Sequence, residues 1–202
     1  LKFETLEPKQ VLSGNVLVTL SGSTLFVQGD LEDNRIELTD VGTNTIQVSG
    51  FSGTLINGSS APAVISPPTG GAIDHVMVRM AEGDDVVRVD NVSLTYTPGS
   101  GILDIHTEEG NDRILMDQVE TGLSIFLDSG DHDDRIRTSN TFTKYYDMHT
   151  GNGQDASFAY SFENGAMFVS SLEGNDRIKL ENGVSWNSME VQGGPQDDAL
   201  IV

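Results

Sequence analysis

Apolar and polar residues alternate along most of the chain at the spacing of a β-strand, and no long stretch shows the period of a helix. This pattern predicts a nearly all-β protein. Pairs of apolar residues in one phase recur at intervals of 21 to 30 residues, which predicts a first set of inward-facing strands. Its members are Leu25/Val27, Ile46/Val48, Val76/Val78, Leu103/Ile105, Ile125/Leu127, Tyr146/Met148, Met167/Val169 and Met189/Val191.

A second set of pairs keeps the same phase nine to thirteen positions later. It consists of Ile36/Leu38, Val87/Val89, Ile114/Met116, Ile136/Thr138, Ser157/Ala159, Ile178/Leu180 and Leu200/Val202. A chain that runs two inward-facing strands and returns every 21 or 22 residues stacks its strands in parallel. The sequence therefore predicts an all-β, right-handed parallel β-helix (β-solenoid) of about eight coils.

Acidic corners separate the two sets of strands. They read Glu82-Gly-Asp-Asp, Glu109-Gly-Asn-Asp, Asp131-His-Asp-Asp, Asn152-Gly-Gln-Asp and Glu173-Gly-Asn-Asp. Gly, Asn and Asp tolerate the positive φ of a tight bend. Residues 49–72 are rich in Gly, Ser and Pro, which predicts a loop inserted into a β-helical domain that spans residues 15–202. The pattern does not place a strand on the third side of each coil.

Two corners, at Gly110-Asn-Asp-Arg-Ile114 and at Gly174-Asn-Asp-Arg-Ile178, resemble the second half of the calcium-binding nonapeptide of RTX proteins. The leading glycine pair of that nonapeptide is missing. The motif also returns every 21 or 22 residues instead of every nine. The resemblance implies bound calcium as the cofactor.

Residues 3–13, FETLEPKQVLS, resemble the LEPR-XLL signature found near the amino terminus of very large, repeat-rich extracellular proteins of some bacteria. Lys9 stands where that signature has Arg, and Val11 where it has Leu. The resemblance implies export and an extracellular or cell-surface location. Residues 1–14 are either such a leader or an N-terminal cap in which Leu6, Val11 and Leu12 cover the first coil.

Composition narrows the classes of partner. The formal net charge of −20 disfavours nucleic acid. The chain has no cysteine, which excludes disulfides and thiolate metal sites, and no apolar run approaches the roughly 20 residues of a membrane span. Because the sequence stops within the apolar strand Ala199-Leu-Ile-Val202, we expect that the chain continues or that this end associates with another copy.

The corner acids are the first group of candidate functional residues. Stacking in register would bring them into a column with neighbours about 5 Å apart. Either calcium binds between their carboxylates, or each carboxylate accepts hydrogen bonds from the N–H groups of its own turn, and the second alternative is favoured. The candidate metal ligands are Asp84, Asp85, Asp112, Asp133, Asp134, Asp155 and Asp176, and Asp197 and Asp198 extend the set.

The second group is a basic face on the strands that follow the corners. It contains Arg35, Arg88, Arg113, Arg135, Arg137, Arg177 and Lys179. Arginine matches carboxylate and sulfate groups well, so an anionic polysaccharide of a cell-surface matrix is a candidate partner of Arg113, Arg135, Arg137, Arg177 and Lys179. The favoured alternative is that these cations neutralise acids on adjacent coils.

The third group lies on the strands before the corners. Counting back six and eight residues from the corner acids brings together Asp104, His106, Asp128, Asp147 and His149. His106, Asp128 and His149 are candidate groups for acid–base catalysis or for a transition metal. The two histidines would lie about 10 Å apart, which is too far for one metal ion, so a solvated polar surface is favoured.

Two functional classes follow. The favoured one is a non-catalytic structural or adhesive module of an exported bacterial surface protein, with calcium as a stabilising ion. The other is a carbohydrate-active β-helix that resembles polysaccharide lyases of pectin lyase-like architecture and binds an anionic glycan.

Overall fold

The computed structural model describes residues 14–202. Residues 1–13, which carry the LEPR-XLL resemblance, lie outside the described part. The expectation of an all-β chain is confirmed, since the described residues form sixteen strands and no helix. Within this range there is accordingly no helix that could cross a membrane.

All sixteen strands are joined by hydrogen bonds into one sheet. In chain order the strands are β1 (Asn15–Ser21), β2 (Thr24–Gln28), β3 (Arg35–Gly42), β4 (Thr45–Gly50), β5 (Leu55–Ile56), β6 (Ala63–Ile65), β7 (His75–Arg79), β8 (Val86–Leu94), β9 (Ile102–His106), β10 (Arg113–Thr121), β11 (Ser124–Asp128), β12 (Arg135–His149), β13 (Ala156–Ser170), β14 (Arg177–Glu181), β15 (Val184–Gln192) and β16 (Ala199–Ile201).

A first column of parallel strands contains β2, β7, β9 and β11 and the C-terminal parts of β12, β13 and β15. Seven residues of the first predicted set lie in one register across it, namely Leu25, Val76, Leu103, Ile125, Tyr146, Met167 and Met189. All of these side chains except Met189 are buried. The Tyr146 hydroxyl donates a hydrogen bond to Thr138 Oγ1 (2.9 Å), which satisfies its polar atom inside the core.

The prediction was wrong for Ile46/Val48. These residues lie on β4, which pairs antiparallel with β3 and with β6 and does not enter the first column. The column therefore has seven strands where the sequence pattern predicted eight. Both side chains are nevertheless buried, and a hairpin strand with one buried face shows the same alternation as a parallel strand.

A second column contains β3, β14, β16 and the N-terminal parts of β8, β10, β12 and β13, all parallel. The predicted register of this column is confirmed. It aligns Ile36, Val87, Ile114, Ile136, Ser157, Ile178 and Leu200. The first six are buried, whereas Leu200 is exposed because β14 is the only described strand that pairs with β16.

A third column, which the sequence pattern did not place, is formed by the C-terminal parts of β8 and β10 and the middle of β12 and β13. It aligns Val92, Val119, Thr141 and Phe162. The residue before each of these has a φ between 51° and 54°, and these residues are Asn91, Gln118, Asn140 and Ser161. Each left-handed residue bends its strand without ending it, so β12 and β13 contribute to all three columns and join them into one sheet.

The segment 49–72 is not simply an inserted loop. It contains β5, which pairs in parallel with β1, and β6, which pairs antiparallel with β4. Ile56 of β5 is buried in the core. On the same side of the molecule, β1 pairs antiparallel with β2, the first strand of the first column, and β4 pairs antiparallel with β3, the first strand of the second.

The corners between the first and second columns require left-handed backbone. Gly83, Gly110, Gly153 and Gly174 have φ between 131° and 153° there, and His132 occupies the equivalent position with a φ of 93°. The N–H groups of His132 and Gly153 both donate to a carbonyl of the next corner, at 2.7 Å in each case. The corners therefore stack as closely as the strands do.

Replacing Gly153 with alanine is expected to lower the free energy of unfolding by about 2 kcal/mol or more. The added Cβ would lie 2.0 Å from the carbonyl oxygen of His132. His132→Ala is the matched control, because that position already carries a Cβ, and we expect it to be close to neutral. Equal destabilisation of the two variants in urea unfolding would contradict the steric explanation.

Candidate functional site

The sequence-predicted corner acids form a continuous hydrogen-bonded column. We call it the Asp column, and it consists of Asp85, Asp112, Asp134, Asp155, Asp176 and Asp198. The Oδ1 atom of each member accepts a hydrogen bond from the backbone N–H of the member before it, over 2.8–3.0 Å. Asn34 stands at the head of the column, where its N–H donates to Asp85 Oδ1 (2.6 Å).

The expectation that each carboxylate would cap the N–H groups of its own turn was wrong. Asp134 Oδ1, for example, binds the N–H of Asp112, which lies 22 residues earlier in the chain. The physical reason is the extended backbone at the end of the corner. There the N–H points along the stacking direction, so its acceptor must come from the neighbouring layer.

In the corners of Asp85 and Asp134 the preceding residue is also an acid, and these two acids, Asp84 and Asp133, face outward and bond in the opposite direction along the stack. Asp84 Oδ1 accepts hydrogen bonds from the N–H and the side-chain amide of Asn111 (2.9 and 3.1 Å), and Asp133 Oδ1 accepts one from the N–H of Gln154 (2.8 Å). The backbone hydrogen bond from Asn111 lowers the pKa of Asp84 below its ordinary value. The two acids of one corner therefore belong to separate hydrogen-bond rows.

In each of the first five residues of the Asp column, the second carboxyl oxygen, Oδ2, is buried. These residues are at most 3% exposed, and the Oδ2 atom of each has no hydrogen-bond partner. Buried hydroxyl residues lie beside three of these acids, Thr107 near Asp112, Ser129 near Asp134 and Thr150 near Asp155, and the buried Ser171 extends the row. Part of this row is bonded to itself, since Thr107 Oγ1 donates to the carbonyl of Ser129 (3.0 Å) and the hydroxyls of Thr150 and Ser171 are 2.9 Å apart.

Burial favours the neutral form of these acids. Desolvation raises the pKa of Asp85 and of Asp134 to about 8, that of Asp155 to about 7 and that of Asp112 to about 6, and it also raises the pKa of Asp176. The backbone hydrogen bonds act in the other direction but do not cancel the effect of burial. Adjacent members reinforce the shift, since ionised Asp112 and Asp155 both raise the pKa of Asp134.

This arrangement does not gather the candidate metal ligands around one point. The inner carboxylates bind backbone N–H groups in the interior, whereas Asp84 and Asp133 are exposed and bound to the neighbouring corner. Asp197 is exposed as well. Between residues 14 and 202, no group of three or more acidic or histidine side chains has the geometry to hold a metal ion.

The candidate histidine cluster is divided into two groups. In the first, Asp104 binds the guanidinium of Arg79 (2.7 Å) and His106 Nε2 (2.9 Å), and His106 Nδ1 lies 3.5 Å from Asp128 Oδ2. In the second, His149 binds Asp147 Oδ1 (2.8 Å) and the hydroxyl of Ser170 (2.6 Å). Burial opposes ionisation of Asp104, but the hydrogen bonds from His106 and Arg79 lower its pKa to about 2.

The predicted register of this surface is confirmed, because Asp128 pairs with His106 on one side and with His149 on the other. The two groups are separate because Phe126 lies between Asp104 and Asp147. Arg79 and Ser170 were missed by the sequence reasoning. The same count of six residues back from a corner acid, applied to Asp85 and Asp176, locates both of them.

Within the described residues, no cation of the basic face forms an ion pair with an acid on an adjacent strand, although Glu37 is the direct cross-strand partner of Arg88. Arg113 and Arg135 are direct cross-strand partners, so like charges are adjacent there. Arg35 approaches Asp33 of its own corner (3.9 Å), and Arg88 lies over the ring of Phe51 (4.5 Å). The remaining cations, Arg135, Arg137, Arg177 and Lys179, surround Phe158.

The surface of the described part has shallow depressions. One of about 320 Å³ lies between Glu37, Arg88, Asp117 and Arg137, and one of about 400 Å³ lies between Tyr145, Phe168 and Glu190. A third, of about 280 Å³, surrounds Phe158. None of these three is lined by His106, Asp128 or His149, so the candidate catalytic residues lie outside all three depressions.

Comparison of the chain with protein-family models, with curated proteins and with solved structures finds no match.

Asp134→Asn is expected to reduce the dependence of stability on pH. A carboxyl whose pKa is raised in the folded state stabilises the fold fully below its ordinary pKa of 3.8, and this contribution is lost as the pH rises through about 8. Asparagine keeps the oxygen that accepts the Asp112 N–H and cannot ionise. We expect little change in the free energy of unfolding at pH 4 and a gain that grows with pH to the order of several kcal/mol at pH 9.

Asp90→Asn is the matched control, because it removes the same charge from an exposed carboxyl of β8. Acids with lowered pKa values, such as Asp104, titrate below this pH range. If Asp90→Asn and Asp134→Asn flatten the pH profile equally, the effect comes from net charge and not from the Asp column.

Proposed function

We propose that this chain is a parallel β-solenoid that serves as a non-catalytic structural module of an exported bacterial surface protein. The observation that carries the proposal is the Asp column, which links seven successive layers from Asn34 to Asp198 through one type of hydrogen bond. Such a column stiffens the chain along the stacking direction and leaves the outer faces free.

The parallel pairing supports the solenoid. Successive members of the Asp column are 21, 22 or 27 residues apart along the chain, and the strands on either side keep the same steps. A continuous apolar core between the columns supports the same interpretation. A chain built from stacked layers extends in one direction and presents long surfaces, which suits a spacer or an adhesive module.

The arrangement of the polar side chains supports a structural function over catalysis. His106 lies between two carboxylates, and His149 lies between a carboxylate and the hydroxyl of Ser170, so polar groups of the surface itself surround both rings. A general base needs a nitrogen that can reach a substrate proton. The export and surface location rest on the resemblance of residues 3–13 to the LEPR-XLL signature.

Thermal unfolding with and without calcium tests how the corners are stabilised. Because backbone N–H groups already occupy one oxygen of each member of the Asp column, we expect the midpoint of thermal unfolding to be the same in chelator and in millimolar calcium. Magnesium at the same concentration controls for ionic strength. A midpoint that rises with calcium alone would place a stabilising ion at the corners, by linkage between binding and folding, and would contradict stabilisation by hydrogen bonds alone.

The absence of catalysis is tested directly with acidic polysaccharides. We expect no decrease in polymer length when the protein is incubated with polygalacturonate, alginate or heparin across pH 5 to 9, as measured by size-exclusion chromatography. Cleavage that is lost in His106→Ala and retained in His132→Ala would overturn the proposal in favour of a carbohydrate-active enzyme. His132 is a suitable control because it is an exposed corner residue outside the two groups that contain His106 and His149.

A further inference from the structure

A single aromatic ring on the basic face is surrounded by four cations. Phe158 on β13 has Arg137 of β12 and Lys179 of β14 as its direct cross-strand partners. The guanidinium groups of Arg135 and Arg177 lie over its ring, 5.5 and 5.7 Å from the centroid. We call this surface the Phe158 patch, and it also includes Tyr160, which is 48% exposed.

Most of the positive charge of the Phe158 patch is not neutralised. Lys179 binds Glu181 (2.9 Å), and within the described range this is the only ion pair that any of the four cations forms. Arg135 and Arg177 are held in place by the ring and not by a carboxylate. Stacking on an aromatic ring leaves the N–H donors at the edge of a guanidinium free to bind an anion.

The concentration of charge is unusual for this chain. The chain has eleven basic residues and a formal net charge of −20, yet four cations lie on β12 and β14, the two strands that flank Phe158 of β13, around one depression of about 280 Å³. With a strand spacing of about 4.8 Å, Arg137 and Lys179 are separated by about 10 Å along the stacking direction. The patch is therefore short and could hold only a small number of anionic groups.

From this arrangement we infer that the Phe158 patch is a binding site for an acidic sugar polymer. The carboxylate or sulfate groups of the polymer bind Arg135, Arg137, Arg177 and Lys179, and one sugar ring packs against Tyr160. Single-stranded DNA is the competing polyanion, since the net charge of −20 opposes both kinds of long, charged polymer and does not choose between them. The choice of a sugar polymer as the ligand rests on the proposed extracellular function. The affinity of the patch for an anion follows from its charge and geometry alone.

The experiment is affinity electrophoresis in gels that contain polygalacturonate, heparin, neutral dextran or single-stranded DNA. We expect retardation by polygalacturonate, by heparin or by both, which distinguishes carboxylate from sulfate recognition, and none by dextran. The double variant Arg137→Gln/Lys179→Gln should weaken binding about tenfold or more. The control Arg35→Gln/Arg88→Gln removes the same charge from cations outside the patch and should bind as the native chain does.

Three results would overturn the inference, provided that the circular dichroism of each variant matches that of the native chain. They are the absence of binding to both acidic polymers, an equal loss in the control variant, and binding to single-stranded DNA at least as tight as to the sugars. If the double variant does not fold, Tyr160→Ala replaces it and should weaken binding to the sugar polymers as well. Failure of this inference leaves the results of the calcium and cleavage experiments unchanged, so the two proposals are judged separately.

Discussion

The structure depends on one hydrogen bond that is repeated along the stack, from the backbone N–H at the end of one corner to the carboxyl oxygen of the next Asp. The strands on either side of the corner can remain in register only if the corners have the same rise as the strands, about 4.8 Å. A corner has fewer regular backbone hydrogen bonds than a strand, so its N–H groups need other acceptors. The side chain of Asp supplies one in each layer, and the left-handed glycine gives the backbone its close approach.

This solution brings ionisable groups into the interior, at positions where like charges are adjacent. Burying a lone carboxylate costs several kcal/mol, and adjacent members of the Asp column would add to that cost if all were ionised. The raised pKa values of Asp85, Asp134 and Asp155 indicate that these carboxyl groups retain protons near neutral pH, which reduces the repulsion within the Asp column. Asn34, at the head of the column, meets the same steric requirement without any charge. Its side-chain amide donates to the carbonyl of Glu32 and to Asp30, so it also anchors the first corner.

The regular part of this fold could be predicted from the sequence because two columns carry strict alternation at a nearly constant interval. Ile46/Val48 misled the prediction because alternation reports one buried face and does not distinguish a parallel strand from a hairpin strand. The third column was missed because its inward positions include Thr121, Thr141, Thr143 and Asn164, which are not apolar. Its signal was the row Asn91, Gln118, Asn140 and Ser161, which recurs at the same intervals as the corner acids.

For the candidate sites too, the sequence predicts which residues lie in one row but not which side chains are in contact. Register places His106, Asp128 and His149 in one row, and counting along the sequence is sufficient to find it. Which neighbours they contact depends on side-chain direction, which the sequence does not specify, and Arg79 and Phe126 determine that outcome in this chain. The basic face is the clearest case, because acids were expected to compensate it and an aromatic ring organises much of it instead.

Since the inward residues and the Asp column maintain the stack, the outward rows can change without loss of the fold. A polymer lying along such a row would meet one side chain per layer, so its affinity would depend on how many successive layers carry a complementary charge. Around Phe158 the two outer layers of three, β12 and β14, provide two cations each and the middle layer provides the aromatic ring, so a polymer would meet a cation in every second layer there.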